Sequence, residues 1–381
     1  MNTSLPVKPS KVETLFTEPL QPFVKWPGGK SSELARIKSC LPVTLPKRFI
    51  DPFVGGGSVL FAVNPAVKAN VNDVCPELIS IYNSGRDRNL EFHQRVQDLA
   101  DAWTSIEKLN DLIEESSIGL MKGSKTVENS FEEIYMEACN ALGERQIQLL
   151  PEFKKRLSRD FPKKISRMAN LQKEKNRLLP LDEFKDNLEG SVRAAFYMAI
   201  RHRYNLARVR QEFHIQRDAD FFFLREFCYA SMFRFNSKDE FNIPYGGISY
   251  NQKSFQIKID RLYSPAMEER LCNTDFSNLD FADFVKEISP NKDDFMFIDP
   301  PYDSDFTDYD GRSFVEKDQV RLSSYLSQTA ANVMIVIGDT PLIRSLYPSN
   351  KWNIREDNFN YKWTIKSRNE RKKTHLTITN Y

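Results

Sequence analysis

The chain has 381 residues, 40% of them apolar, with a formal net charge of +2, five cysteines and four histidines. That length suits one large domain plus a smaller one, and the charge excludes a polycation, so any nucleic-acid surface must be a local patch of Lys and Arg. The scattered cysteines form no CxxC pair, which argues against a zinc site or a disulfide framework and suits a reducing cytoplasm, and no window approaches eighteen consecutive apolar residues.

The first twenty residues read as a loose arm without the apolar stretch of a signal peptide. From Phe23 to about Tyr82, short strands alternate with helices. FVKWPGGK (23–30) crowds an aromatic, two cations and two glycines together. Either Trp26 offers a π face to a cationic or planar ligand, or the segment is an ordinary Pro-Gly turn. RFIDPF (48–53) is a strand running into DPFVGGGSV (51–59), a glycine turn before a helix expected at SVLFAV. Glycines there let the backbone approach a ligand, and a helix N-terminus offers free N–H groups. The spacing is not GxGxxG, so the dinucleotide fingerprint is incomplete. KANVND (68–73) is a second strand ending on Asp73. Asp73 either holds ribose hydroxyls, or caps the helix that starts at PELISIYN, or does both.

From about Arg86 to Arg225 the pattern is charged and helical, as in EFHQRVQDLADAW, SFEEIYMEACNAL and PEFKKRLSRDFPKKISRM. KKRLSRDFPKKISR (154–167) sets seven basic residues against one acid, and RHRYNLARVR (201–210) is a second basic cluster. The first run is either a solvated helix face or a phosphate-facing surface. RFNSKDEFNIPYGG (234–247) reads as a β-hairpin with Asn236 in its turn. After Asn273 the α/β pattern returns with FMFI (295–298) and NVMIVIGD (332–339). YKWTIKS (361–367) and THLTITNY (374–381) read as two strands around a basic turn, SRNERKK. That turn either meets a phosphate backbone or solvates a hairpin. Two separated blocks, 1–85 and 263–381, are expected to build one α/β sheet domain, with 86–262 inserted as a second domain.

DPPY (299–302) ends the apolar run FMFI with an acid, two prolines and a tyrosine. Methylation of an exocyclic amine such as adenine N6 would need this set. That nitrogen is a poor nucleophile because its lone pair is delocalised into the ring. Asp299 and the Pro300 carbonyl, each accepting an N–H, would free the lone pair, and proline has no N–H to compete for it. Tyr302 can stack on the base. The donor would be a sulfonium, S-adenosylmethionine, whose charge suits aromatic and acidic surroundings. The base must leave the duplex stack to reach such a pocket.

FVKWPGGK, DPFVGGGSV, NDVCPELI, RFNSKDEFNIPYGG, NTDF and DPPY together resemble the Dam-like, D12-class (alpha-group) DNA adenine-N6 methyltransferases. The resemblance covers about 23–82 and 224–381 and is weak over 86–190. It implies a Rossmann-like S-adenosylmethionine-dependent methyltransferase sheet, with an inserted helical and β-hairpin DNA-recognition domain. By the same resemblance, Trp26, Lys30, Phe53, Gly55, Gly56, Gly57 and Asp73 would line the cofactor site, and Asp275 and Phe276 would hold the cofactor's adenine. Asp299, Pro300 and Tyr302 would hold the flipped target adenine. Lys25 would lie near a base edge or phosphate, Tyr229 would insert near the target, Arg234 would read a guanine and Pro244 would pack on a thymine methyl. Phe306 and Tyr309 keep an FxxY spacing after DPPY, while Met232 stands where leucine is usual. Double-stranded DNA is the expected partner, a cognate restriction endonuclease a possible second one, and no metal or membrane is expected.

Rival readings fit less of the chain. A cytosine-C5 methyltransferase needs a cysteine after proline, whereas Cys75 precedes Pro76. A glutamine-N5 protein methyltransferase carries Asn in place of Asp299 and leaves KWPGGK unused. An NAD-dependent oxidoreductase leaves DPPY without a role. A non-catalytic DNA-binding protein on the same fold would not need Asp299 and Tyr302, and an RNA methylase stays open.

Overall fold

The computed structural model describes residues 14–212, 215–301, 308–309, 312–360 and 372–381, with backbone alone at 308–309, 312–313, 358–360 and 372–373. Nine strands are described: β1 (Arg48–Asp51), β2 (Lys68–Asn72), β3 (Thr274–Ser277), β4 (Asp294–Ile298), β5 (Asp308–Tyr309), β6 (Arg312–Ser313), β7 (Asn332–Gly338), β8 (Asn353–Asn360) and β9 (Lys372–Thr379). Seven of them form one sheet in the order β3-β2-β1-β4-β7-β9-β8, and β5 and β6 pair separately. The pairs β3-β2, β2-β1, β1-β4 and β4-β7 are parallel, while β9 is antiparallel to both neighbours. This is a Rossmann-like sheet, mostly parallel, assembled from both blocks of the chain. The chain order reverses between β1 and β4, and in such sheets the crevice beyond the strand carboxyl ends at that point receives ligands.

A parallel sheet is covered on both faces, and its central strands tend to near-continuous apolar runs. β4, DFMFI, is buried throughout. Successive side chains point to opposite faces. Phe295 and Phe297 therefore join one core with Phe49, Val71 and Met334. Met296 and Ile298 join a second core with Ile50, Val333 and Ile335.

Helices α1 (Leu34–Ser39), α2 (Pro76–Arg86), α3 (Leu90–Ser105), α4 (Asn110–Lys122), α5 (Val127–Leu142), α6 (Leu150–Lys175), α7 (Leu181–Val209), α8 (Ile215–Phe227), α9 (Gln256–Leu262) and α10 (Pro265–Cys272) precede β3. α11 (Phe281–Ile288), α12 (Glu316–Leu326) and α13 (Pro341–Leu346) follow it and cover the second core. The first core runs without a break from the sheet into α3 to α8, through Phe92, Trp103, Phe196, Phe222 and Phe227. No helix among the described residues is long and apolar enough to cross a membrane.

Two local expectations are corrected. No helix follows the glycine turn: only a 3-10 turn, Leu60–Ala62, forms. Asn64-Pro65 closes the segment and Val63 pairs with Phe16, which ends the turn before it can propagate. The 234–247 segment is a loop closed by the single bridges Phe235–Phe241 and Cys228–Tyr245 rather than a hairpin ladder. Asn236 shapes its tip, its Oδ1 accepting from Lys238 N at 2.9 Å and Glu240 N at 3.0 Å. β8 precedes β9 in the sheet, and the strand expected at 361–367 lies outside the described residues.

Candidate active site

A cleft of about 380 Å³ opens beyond the carboxyl ends of β1, β2 and β4. Trp26, Lys30, Phe53, Gly55, Gly56, Asp73, Asp299 and Pro300, all named from sequence, line it. Lys30 crosses its floor. Its backbone N–H donates to Ser58 Oγ at 2.8 Å, and its Nζ donates to Gly28 O at 2.9 Å and to Asp299 Oδ2 at 2.6 Å. Residues read as two separate motifs thus meet in one ion pair.

The cleft is acidic. Burial raises the Asp299 carboxyl above its usual range, and the Lys30 ammonium pulls it back down. Burial raises Asp73 to about 6, against the N–H bonds that favour its anion. Those bonds come from Gly55 N at 3.0 Å and Cys75 N at 2.9 Å. Asp73 therefore fastens the glycine turn to Cys75 just before α2; Cys75 is the N-cap of that helix and no described side chain caps it, so the expected cap by Asp73 does not form. Asp51 is fully buried below them, and burial, then the charges of Asp299 and Asp73, hold its carboxyl well above the usual range. Among the described residues, Asp73, Asp280, Asp299 and Asp318 line the cleft together with the single ammonium of Lys30, a surplus of acid that favours a further cation.

The glycines of the turn make room for side chains as well as for a ligand. Gly55 has φ +49°, and a Cβ there would stand 2.7 Å from Trp26 Cδ1. Gly57 has φ +73°, and a Cβ there would stand 2.8 Å from Tyr82 Oη, so it packs behind the cleft instead of lining it. Tyr82 Oη donates to Gly55 O at 2.8 Å, and its ring stacks on Phe276 at 4.9 Å. On the other side Phe53 packs on Phe281 at 5.6 Å and on Phe314 at 5.7 Å, giving an aromatic wall.

Asp275 and Phe276 do not line the cleft. They sit within β3, level with Asn70 and Val71, below the strand ends, and Asp275 faces outward onto Lys68 at 2.8 Å. Leu279, Asp280 and Phe281, just past the end of β3, take that wall instead. Sequence reasoning missed them, together with Phe233 and Phe314. The available signal was position: a residue must lie beyond a strand's carboxyl end to face the crevice. Tyr302 and Phe306 lie outside the described residues, and of Tyr309 only the backbone is described.

The expected DNA-facing residues gather beside the cleft. Tyr229, Arg234 and Pro244 are exposed. Tyr229 N donates to Pro244 O at 2.9 Å, and Arg234 Nε donates to Asn242 Oδ1 at 3.1 Å. Lys25 is held instead by Glu226, whose Oε1 it meets at 2.7 Å. Phe233 links loop and cleft: it lines the cleft and packs on Trp26 at 5.0 Å. Behind it, fully buried Arg225 donates to Lys25 O at 3.0 Å, Ser231 O at 2.9 Å and Met232 O at 2.6 Å. These bonds brace Ala230 and Ser231, two consecutive non-glycine residues in the left-handed region, at φ 52° and 55°.

The sequence model of the D12 class N6 adenine-specific DNA methyltransferases matches residues 26–121 and 146–361. The chain belongs to that family. It is an adenine-specific DNA methyltransferase. The match extends well into the helices between α2 and β3, where the motif resemblance is weak, and leaves only 122–145 between its two parts. The Type II methyltransferase M.CviBI of Paramecium bursaria Chlorella virus NC1A is 24% identical over 364 residues, spanning 95% of this chain and all of that one. The Type II methyltransferase M.MjaIII of Methanocaldococcus jannaschii is 28% identical over 330 residues, 83% of each chain. The DNA adenine methylase of Haemophilus influenzae is 27% identical over 168 residues, 41% of this chain and 54% of that one.

Proposed function

We propose that this methyltransferase takes its methyl group from S-adenosylmethionine and places it on N6 of an adenine turned out of duplex DNA at a specific site. One observation carries the reading: Asp299 sits at the cleft, held through one oxygen by Lys30 and followed by Pro300. The Pro301 carbonyl is taken by Gln319 Nε2 at 3.0 Å, whereas the Pro300 carbonyl receives no hydrogen bond among the described residues. One carboxylate oxygen and one carbonyl thus remain for the two hydrogens of an amine.

The residues present fit the donor. The cleft has the volume of a small-molecule site, its acids suit a cation, and Phe53, Phe281 and Phe314 suit a planar base. Asp73, Phe53, Phe281 and the Gly55–Gly56 turn would hold it. When bound, S-adenosylmethionine supplies an electrophilic methyl group on a sulfonium centre. Asp299 and the Pro300 carbonyl polarise the amine and localise its lone pair, and Lys30 lowers the Asp299 carboxyl against the rise from burial while fixing its orientation. Tyr229, Arg234 and Pro244 would meet the DNA, with Arg234 suited to guanine O6 and N7. In this reading residues 1–85 and 263–381 form the catalytic domain and 86–262 the DNA-recognition domain. The Type II names of its relatives support a place in restriction-modification, opposite an endonuclease of the same specificity.

The test is transfer from labelled S-adenosylmethionine to unmethylated genomic DNA, with modified adenines mapped by single-molecule sequencing. N6-methyladenine confined to one short motif is expected. Asp299→Ala should abolish turnover and keep most DNA affinity. Transfer to RNA or protein but not to DNA would overturn the proposal.

A further inference from the structure

The basic run of α6 is a structured ridge. Phe153, Leu157, Phe161 and Met168 bury one side of the helix. Lys155, Arg159, Lys163 and Arg167 follow at i+4 steps on the other, and all four are exposed. At 1.5 Å per residue they span about 18 Å, or about five base pairs of duplex axis. Two of the four already hold acids, Lys155 with Glu152 at 3.4 Å and Arg159 with Asp160 at 2.6 Å, and Glu152 also pairs with Arg156 at 2.5 Å. Lys163 and Arg167 have no ion-pair partner among the described residues.

The ridge continues onto the loop that carries Arg234. α6 packs on α7, whose Arg201 Nη1 donates to Ile243 O at 2.9 Å. Burial lowers the Arg201 guanidinium, and the charges of Arg156 and Arg159 across the helix pair lower it further, as expected of close neighbours. One turn on, Asn205 Nδ2 donates to Phe241 O at 3.0 Å, and Arg208 Nε donates to Asp239 Oδ2 at 3.1 Å. Arg201 and Arg208 on α7 thus link α6 to the C-terminal arm and the tip of the 234–244 loop, Arg208 through an ion pair with Asp239. A chain with a net charge of only +2 concentrates cations here.

We propose that the α6 ridge, Lys155, Arg159, Lys163 and Arg167, binds the phosphate backbone of duplex DNA flanking the target on one side. The proposal rests on the DNA-methyltransferase reading and assigns the helices before β3 a grip that is independent of sequence. Each phosphate neutralised contributes about 0.9 to the slope of log affinity against log salt.

The experiment compares wild type with the fourfold variant Lys155→Gln, Arg159→Gln, Lys163→Gln, Arg167→Gln in the full chain. DNA binding is titrated against salt on duplexes that either end near the methylated adenine or extend about ten base pairs on one side. Wild type should bind the extended duplex more tightly and with a steeper salt slope. The variant should lose that gain, weaken about tenfold or more on the extended duplex, and lower the slope by up to about 3.6. Its kcat on saturating DNA and its methylated motif should stay unchanged. Equal salt slopes and length dependence in the two proteins would overturn the proposal, as would a loss confined to self-association of the protein. A wild type that methylates no duplex fails the parent reading instead, and the wild-type control alone reveals that.

Discussion

Lys30 Nζ stands 2.6 Å from Asp299 Oδ2, joining two residues 269 positions apart at the floor of the cleft. Both are largely withdrawn from water, with side chains 3% and 20% exposed. The pair occupies one carboxylate oxygen, and the Lys30 ammonium lowers the Asp299 carboxyl against the larger rise that burial imposes.

Lys30→Met should therefore move the acid limb of the kcat profile to higher pH. Activity needs ionised Asp299, so it falls as pH drops through that pKa. Without the ammonium, burial raises the pKa further and the fall begins sooner. At neutral pH a loss of about 100-fold is expected. Lys30→Arg should restore much of the profile. A limb unchanged in Lys30→Met would show that the pair does not govern the chemistry.

Asp73 yields a stability effect of defined sign. Its carboxyl titrates at about 6 in the folded chain, against 3.8 ordinarily. The native state then holds the proton more tightly than the unfolded chain, so stability falls as pH rises from about 4 to about 6. The full cost above that window is on the order of 3 kcal/mol. Denaturant melts of wild type and Asp73→Asn across the window should show the difference between them shifting in favour of Asn as pH rises. Donor affinity should weaken in the variant.

Two glycines with similar backbone angles should respond unequally to alanine. Gly57 and Gly123 have φ of +73° and +70°, but a Cβ at Gly57 meets Phe61 and Tyr82 within 3 Å, while at Gly123 it meets nothing within 4 Å. Gly123→Ala should cost about 1 kcal/mol and Gly57→Ala about 3 kcal/mol or more, read from denaturant midpoints.

Arg225 and Arg234 should separate structure from recognition. Arg225→Ala strips hydrogen bonds from the carbonyls of Lys25, Ser231 and Met232 and should destabilise the fold by about 3 kcal/mol or more. Exposed Arg234→Ala should change stability by less than about 0.5 kcal/mol. Its effect should appear in sequence choice, with discrimination at one base pair reduced by about 1–3 kcal/mol. Competition between duplexes altered at single positions measures it.

The strands were legible where patterning was strong. RFID, KANVN, FMFI and NVMIVIG fall within β1, β2, β4 and β7 because an apolar run bounded by acids, Pro or Gly has few other solutions. The 234–247 loop and the segment after Gly57 were misread because their conformations depend on distant partners. Asn205 on α7 holds Phe241, and Phe16 holds Val63. Local propensity carries no trace of such contacts.

The same limit separates two identical tetrapeptides. Phe49-Ile50-Asp51-Pro52 and Phe297-Ile298-Asp299-Pro300 both read as a buried strand, an acid and a turn, and composition and periodicity alone determine that much. Only the sheet decides between the acids. Ile50 pairs with Met296, so Asp51 lies level with Phe297, two residues short of Asp299. Asp51 is therefore only 2% exposed and accepts from Phe53 N at 2.9 Å, while Asp299 reaches the crevice and Lys30. Strand register, set by packing between residues almost 250 positions apart, brings one of two equivalent acids to the crevice and buries the other.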